Sequence, residues 1–234
     1  MDRAHGGFQM IYVMSDIHGN RKAFDDVMEQ INLNADDQLY VLGDVIDRMP
    51  GGINILLDLL RMPNAMILMG NHEHMMIHAL ENRRDHYINP LAVWYANGGK
   101  ITHDIFKKLS KSSQQIIYPI MRSFPTNVGF ILNGVEFLLC HGAPLEYKRR
   151  NKSDEDMDAA SVWTRLDGYT HPAPGKIVIF GHTPTDYYQT GKPFKIWHGN
   201  KMIGIDCGSP YPHAGGRLAC LRLDDMTEFY SEVI

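Results

Sequence analysis

Cysteine is scarce: Cys140, Cys207 and Cys220 are the three in 234 residues, and each lies within or beside an apolar run rather than in a spaced framework. That usage excludes a disulfide scaffold and points to buried free thiols in a reducing compartment. No apolar run approaches the length of a membrane-spanning helix, and no leader pattern precedes the first apolar run, so a cytoplasmic protein without a membrane partner is expected. Basic charge is not in excess either. With 23 Lys and Arg against 27 Asp and Glu the formal charge is −4, which argues against a partner held by broad phosphate neutralisation, so no stable nucleic-acid binding is expected. Internal repeats and low-complexity tracts are lacking, and nothing in the sequence sets an oligomeric state.

At 44% hydrophobic and 21% charged, the chain has the balance of one globular α/β domain, expected over residues 10–234. Residues 1–9 stand ahead of the first apolar run as an extension to which no role is assigned. The chemistry of the chain stands at the ends of apolar runs. Met10 to Met14 leads into Ser15-Asp16-Ile17-His18-Gly19, and Leu39 to Leu42 into Gly43-Asp44-Val45-Ile46-Asp47-Arg48. Ala65 to Met69 leads into Gly70-Asn71-His72-Glu73, Phe137 to Cys140 into His141-Gly142, and Ile177 to Phe180 into Gly181-His182-Thr183-Pro184. Each run is short enough to be a buried strand, and ligands of α/β sheets gather at the carboxyl ends of strands, so five polar turns imply one site.

Between the runs, Phe24, Val27, Met28 and Ile31 recur with helical spacing and predict a helix over Arg21 to Ile31. Further helices are expected over Gly52 to Leu60, from near His72, and through much of Asn89 to Ser123, where Ser112-Ser113-Gln114-Gln115 reads as a capping box. Asn133-Gly134 between Phe130-Ile131-Leu132 and Val135 to Cys140 predicts a hairpin, because Asn-Gly supplies the positive φ angles of a type I′ turn. Strands are expected again at Met202 to Ile205, Leu218 to Leu223 and Phe229 to Val233. The charge-dense stretch Tyr147 to Ala159 reads as a loop and, following His141 closely, as a flap over the site.

Taken singly, the polar turns are ambiguous. Asp16-x-His18 describes a capped turn as well as a ligand pair, Asp47-Arg48 describes a surface ion pair, and a lone histidine is more often a satisfied structural residue. Jointly they are not. Asp16, His18, Asp44, Asn71, His141 and His182 each follow a predicted strand beside a glycine, and together they offer oxygen and nitrogen donors without a thiolate. That mixture suits manganese, iron, zinc or nickel, and the set is too large for one tetrahedral ion and suitable for two.

These five motifs, in this order, resemble the signatures of the phosphoprotein phosphatase branch of the calcineurin-like metallophosphoesterases. Asn71 to Leu80, Asn97-Gly98-Gly99 and Val162-Trp163-Thr164-Arg165 resemble the bacteriophage lambda-type serine/threonine protein phosphatases in particular. The resemblance implies a four-layer α/β/β/α sandwich of two mixed sheets flanked by helices. It implies two divalent ions, manganese first, with Asp16, His18 and Asp44 on one, Asn71, His141 and His182 on the other, and Asp44 bridging. The activity implied is phosphomonoester hydrolysis on a phosphoprotein or small phosphoester, by direct attack of a metal-bridging hydroxide on phosphorus.

His72 would act as general acid with Asp47 fixing its tautomer, and Arg48 and Arg165 would clamp the phosphoryl oxygens. A surface position beside Trp163 is an equal reading of Arg165. A symmetrical diadenosine tetraphosphatase carries nearly the same motifs and is the alternative, and a non-catalytic scaffold is a third reading. Ser15, Met49 and Ala143 stand where the family usually has glycine; none removes a ligand, and Met49-Pro50 bears on substrate entry instead. His74 and His78 have the i, i+4 spacing of a metal pair but no motif around them, and His213 has no motif either, although its glycine-rich loop is a candidate to face the site.

Overall fold

The computed structural model of the protein describes residues 9–82, 89–149 and 157–232. Two five-stranded sheets pack face to face. In the first, β1 (Ile11–Met14), β2 (Gln38–Val41) and β3 (Ala65–Ile67) run parallel, linked by helices α1 (Arg21–Ile31) and α2 (Gly52–Arg61). After β3 come α3 (Asn71–Glu81), α4 (Pro90–Ala96), α5 (Lys100–Phe106) and α6 (Lys111–Arg122), and then the hairpin of β4 (Asn127–Leu132) and β5 (Val135–Cys140). Helices α7 (Leu145–Arg149) and α8 (Met157–Trp163) precede β6 (Ile177–Phe180), β7 (Trp197–His198) and β8 (Met202–Gly204). The chain returns to the first sheet as β9 (Ala219–Arg222) and β10 (Thr227–Tyr230), giving the orders β10-β9-β1-β2-β3 and β4-β5-β6-β8-β7.

Alternation along the strands builds the layers. In β1, Val13 faces the second sheet while Tyr12 and Met14 face the helices; in β5, Phe137 and Leu139 face inward while Leu138 and Cys140 face the outer side. The inner layer unites Val13, Leu42, Leu68 and Leu221 with Phe137, Leu139, Ile179 and Ile203. Phe24, Val27 and Ile31 of α1 and Ile53, Ile55, Leu56 and Leu59 of α2 cover the outer face of the first sheet. Tyr147 of α7, Leu166, Ala173 and Tyr188 cover the second. The four-layer arrangement expected from the sequence is the arrangement found.

Helix α1 has the predicted bounds, with Asn20 as its N-cap accepting the Ala23 N–H at 3.2 Å. The hairpin register pairs Leu132 with Val135 around Asn133 (φ 50°) and Gly134 (φ 78°). Other boundaries differ. Helix α6 starts at Lys111, since it is the Ser110 hydroxyl that accepts the Ser113 N–H at 3.1 Å; Ser112 lies inside the first turn and is not the cap. Strand β3 stops at Ile67, because the Met69 N–H leaves the sheet for the Pro125 carbonyl at 2.8 Å. The stretch Tyr147 to Ala159, expected to be a loop, is helical at both ends in α7 and α8; residues 150–156, the centre of the expected flap, lie outside the described residues, as do residues 1–8. Among the described residues no helix is long and apolar enough to cross a membrane.

Candidate metal centre

The carboxyl ends of β1, β2 and β3 meet those of β5 and β6 at one edge of the two-sheet stack. Backbone bonds lace the turns together: Asp16 N–H donates to the Gly43 carbonyl (3.2 Å), His18 N–H to that of Asp44 (2.9 Å), and Gly181 N–H to that of His141 (2.9 Å). Two further bonds join the sheets, from the His182 N–H to Asp16 Oδ2 (3.0 Å) and from His141 Nδ1 to the Leu42 carbonyl (2.8 Å). Six non-glycine residues of these turns have positive φ: Asp16 (54°), His18 (50°), Asp44 (53°), Asp47 (73°), Arg48 (66°) and His182 (62°). Each such conformation costs free energy, so the concentration of strain at one place marks a site where side-chain direction matters more than local comfort.

Asp44 stands at the centre. His18 Nε2 lies 3.5 Å from its Oδ2, His72 Nε2 3.8 Å from the same oxygen, and His141 Nε2 3.5 Å from Oδ1. Asp16 Oδ1 is 3.9 Å from His18 Nε2, and Asn71 Oδ1 is 2.9 Å from His141 Nε2. With its Nδ1–H donating to the Leu42 carbonyl, His141 presents a lone pair at Nε2 toward another acceptor, the Asn71 oxygen, and a pair of converging acceptors suits a cation between them. His18 is oriented likewise, its Nδ1 on the Ile46 carbonyl at 3.2 Å. Two groups of side chains have the spacing to hold a metal ion, His18 with Asp44 and His72, and Asp44 with His141 and His182. All six residues expected as ligands come together, and by distance alone His72 joins them.

The ionisation pattern fits cations. Burial holds the imidazoles of His18 and His182 well below their ordinary value, so both are neutral donors; neighbouring His72 adds to the effect at His18, and His141 and Arg165 add to it at His182. Burial pushes the Asp44 carboxyl well above its usual range, an effect His72 opposes and Asp16 and Glu73 reinforce. Buried carboxylates gathered in this way are costly unless cations compensate them.

His72 has a different environment from the other imidazoles. Its Nδ1 pairs with Asp47 Oδ2 at 2.7 Å, and the indole Nε1–H of Trp94 donates to that same oxygen at 2.8 Å. Its Nε2 lies 3.4 Å from Arg48 Nη2. Arg48 is exposed, so its guanidinium reaches the opening of the site. Arg165 is exposed too, and its Nη1 donates to the His182 carbonyl at 3.0 Å, which places it at the rim.

Three residues matter here that sequence reasoning gave no role. Glu73 is wholly buried, and its two oxygens accept four backbone N–H groups: Asp44 (2.8 Å) and Gly70 (3.2 Å) on Oε2, Val45 (3.0 Å) and Ile46 (3.3 Å) on Oε1. Gly70 packs against it so closely that a side chain there would collide with Asp44 and Glu73. Trp94 had no motif beyond its nearness to Asn97-Gly98-Gly99. Asp206, buried beside Asp16 and bonded to the Gly208 N–H (3.0 Å), is pushed well above the usual carboxylate range by burial and by the Asp16 charge. The Ser15 hydroxyl, where glycine was expected, donates to Asp16 Oδ2 at 2.5 Å. His74 and His78 are buried side by side on α3 with rings 4.1 Å apart, and exposed His213 lines a separate recess with Met49 and Asn20.

Comparison with known proteins agrees with this geometry. The model of the calcineurin-like phosphoesterase family matches residues 10–203. Serine/threonine-protein phosphatase 2 of Salmonella typhimurium is 26% identical over 191 residues, covering 78% of this chain and 84% of that protein. Among solved structures, a candidate diadenosine tetraphosphatase superposes with a TM-score of 0.63 at 15% identity, covering 96% of this chain and 94% of the other. A protein serine/threonine phosphatase from Saccharomyces cerevisiae superposes with 0.54 at 14% identity, covering 95% and 79%. At such identities the two structures speak for the fold.

Proposed function

The chain belongs to the calcineurin-like phosphoesterase family, and on that footing we propose that it is a metal-dependent phosphomonoesterase acting on phosphoserine or phosphothreonine in proteins. The observation that carries this reading is the arrangement around His72: a buried imidazole held at Nδ1 by Asp47 at 2.7 Å, with Nε2 3.8 Å from Asp44 Oδ2 and 3.4 Å from Nη2 of the exposed Arg48. Serine and threonine alkoxides leave poorly and need a proton. A held imidazole supplies one.

In this reading Asp16, His18 and Asp44 would hold one divalent ion, and Asn71, His141 and His182 would hold the second with Asp44 shared between the two. Manganese is the first choice, and iron, zinc and nickel suit the same donors. When bound, two such ions supply an activated nucleophile from water and neutralise charge on the phosphoryl group. The protein does the rest. Glu73 and the laced turns fix the donors before substrate arrives, which removes reorganisation from the reaction. The N-terminus of α3, whose His72 N–H donates to Asp44 Oδ1 at 3.0 Å, adds its positive end to the anionic site. Arg48 meets a phosphoryl edge with two parallel N–H groups, and Arg165 adds a further contact from the rim. Asp47 accepts the Nδ1–H of His72 and balances the charge of its imidazolium form, whose second proton, on Nε2, passes to the departing oxygen as its bond to phosphorus breaks.

The 26% identical relative named as a serine/threonine phosphatase supports the substrate class. The test is a panel assay with the metal-reconstituted protein on phosphoserine and phosphothreonine peptides, phosphotyrosine peptides and dinucleoside polyphosphates. Preference for the first two upholds the reading; preference for the dinucleotides replaces it.

A further inference from the structure

A recess of about 420 Å³ opens beside Arg48, lined by Arg48, Ala96, Asn97, Gly98, Pro210 and Tyr211. Two segments distant in the chain build it, the turn after α4 and the loop between β8 and β9, and both hold Arg48. On one side the Arg48 N–H donates to the Gly98 carbonyl at 3.3 Å. Gly98 has φ +93°, and a Cβ there would come within 3.1 Å of Arg48 Cγ, so only glycine lets this turn approach. On the other side Arg48 Nη1 donates to the Tyr211 hydroxyl oxygen at 2.6 Å, and the guanidinium carbon lies 5.4 Å from the centre of the tyrosine ring. Arg48 Nη2 meanwhile lies 3.4 Å from His72 Nε2. The recess therefore shares Arg48 with the metal centre and adjoins His72 through that side chain.

We propose that this recess is the leaving-group subsite, that it takes the peptide segment bearing the phosphorylated hydroxyl, and that Tyr211 is its specificity-determining residue. The inference rests on the phosphomonoesterase reading above. A general acid has to stand within hydrogen-bond reach of the leaving oxygen, so whatever that oxygen is attached to occupies the space beyond His72 and Arg48. The chemistry of the lining selects among leaving groups. Ala96, Gly98 and Pro210 leave room for main chain. The Asn97 amide nitrogen is engaged with the Val93 carbonyl at 2.9 Å, so its oxygen is the acceptor for a peptide N–H. Tyr211, 46% exposed, offers a ring face edge to a neighbouring side chain. A nucleotide leaving group brings several negative charges, and the lining holds one cation, Arg48, already shared with Tyr211.

Two variants test this. Tyr211→Ala removes the wall and the anchor of Arg48, while Tyr211→Phe keeps the ring and the packing and removes only the hydrogen bond. Each is assayed with the unmodified protein on a phosphoserine peptide and on nitrophenyl phosphate, with metal content measured alongside and inorganic phosphate titrated as an inhibitor. The expected result for Tyr211→Ala is a loss of kcat/KM on the peptide exceeding the loss on nitrophenyl phosphate by roughly tenfold, carried mainly by KM. Tyr211→Phe should weaken inhibition by phosphate by roughly threefold and leave the preference between the two esters nearly as it was, because the recess keeps its shape. Equal losses on both esters from Tyr211→Ala, or a peptide loss lying wholly in kcat, overturns the subsite. A protein that hydrolyses dinucleoside polyphosphates but no phosphopeptide fails the functional reading instead, and that outcome is visible before any variant is made.

Discussion

The Glu73 carboxylate accepts the backbone N–H of Asp44 at 2.8 Å, so a buried acid on α3 sets the position of the carboxylate around which the whole site is built. The same side chain takes the N–H groups of Val45, Ile46 and Gly70, replacing the sheet and helix bonds that this strained turn cannot make. Glu73→Gln keeps the shape but turns an NH₂ toward N–H donors, leaving buried donors unpaired. Chemical denaturation should show a loss of about 2–3 kcal/mol, and metal content should fall with it. Unchanged stability would mean that the turn holds its shape without Glu73.

Replacing His72 with Asn removes the proton carrier and leaves an amide in its place. Hydrolysis of alkyl phosphates should slow by roughly 10²- to 10⁴-fold with both metals retained, and an aryl phosphate with an acidic phenol should lose much less. Asp47→Asn should show the same dependence on leaving group more mildly. Since His72 Nε2 also lies 3.8 Å from Asp44 Oδ2, loss of metal from His72→Asn would assign it as a ligand and withdraw the acid role.

Trp94 gives a subtler test, because its indole shares Asp47 Oδ2 with His72. Trp94→Phe fills most of the volume and deletes the N–H. The loss of one hydrogen bond to a charged group should lower kcat on alkyl phosphates by roughly tenfold or more, with KM and metal content little changed. A uniform loss on alkyl and aryl esters would point to packing alone.

Asp44→Asn bears on the bridge. One carboxylate with His18 near Oδ2 and His141 near Oδ1 serves both donor groups, so elemental analysis should find both ions depleted and activity lost. Two ions retained by an inactive variant would mean that the bridge is assigned to the wrong residue.

The metal-free protein should respond to pH in a defined way. His18 and His182 have folded values well below the ordinary 6.5, so their contribution to stability is present above that value and is lost as pH falls from it. Asp44 and Asp206 have folded values well above the ordinary 3.8, so theirs is present below that value and is lost as pH rises through the folded one. Metal binding needs the carboxylate without its proton, and it should therefore release protons below the folded value of Asp44 and tighten as pH rises. Calorimetry of metal binding in buffers of different ionisation enthalpy measures the release; heats independent of buffer at every pH above the ordinary carboxylate range at which the metal-free protein stays folded would refute it.

The sequence by itself determined the five polar turns, their placement after short apolar runs and the donor types, because each rests on local pattern: a strand-length run, a glycine that permits the turn, and a side chain whose chemistry is costly to bury alone. Helix Arg21–Ile31 and the hairpin at Asn133-Gly134 were legible for the same reason, since helical periodicity and type I′ geometry are properties of a few adjacent residues. The tertiary structure alone decided that three of the five strand ends belong to one sheet and two to the other, so that the site lies at their junction. It alone placed Trp94 on Asp47, Asp206 beside Asp16 and Tyr211 on Arg48, the last across 163 residues of chain. No local pattern records such pairs, because they are set by strand order and by the return of β9 to the first sheet alongside β1.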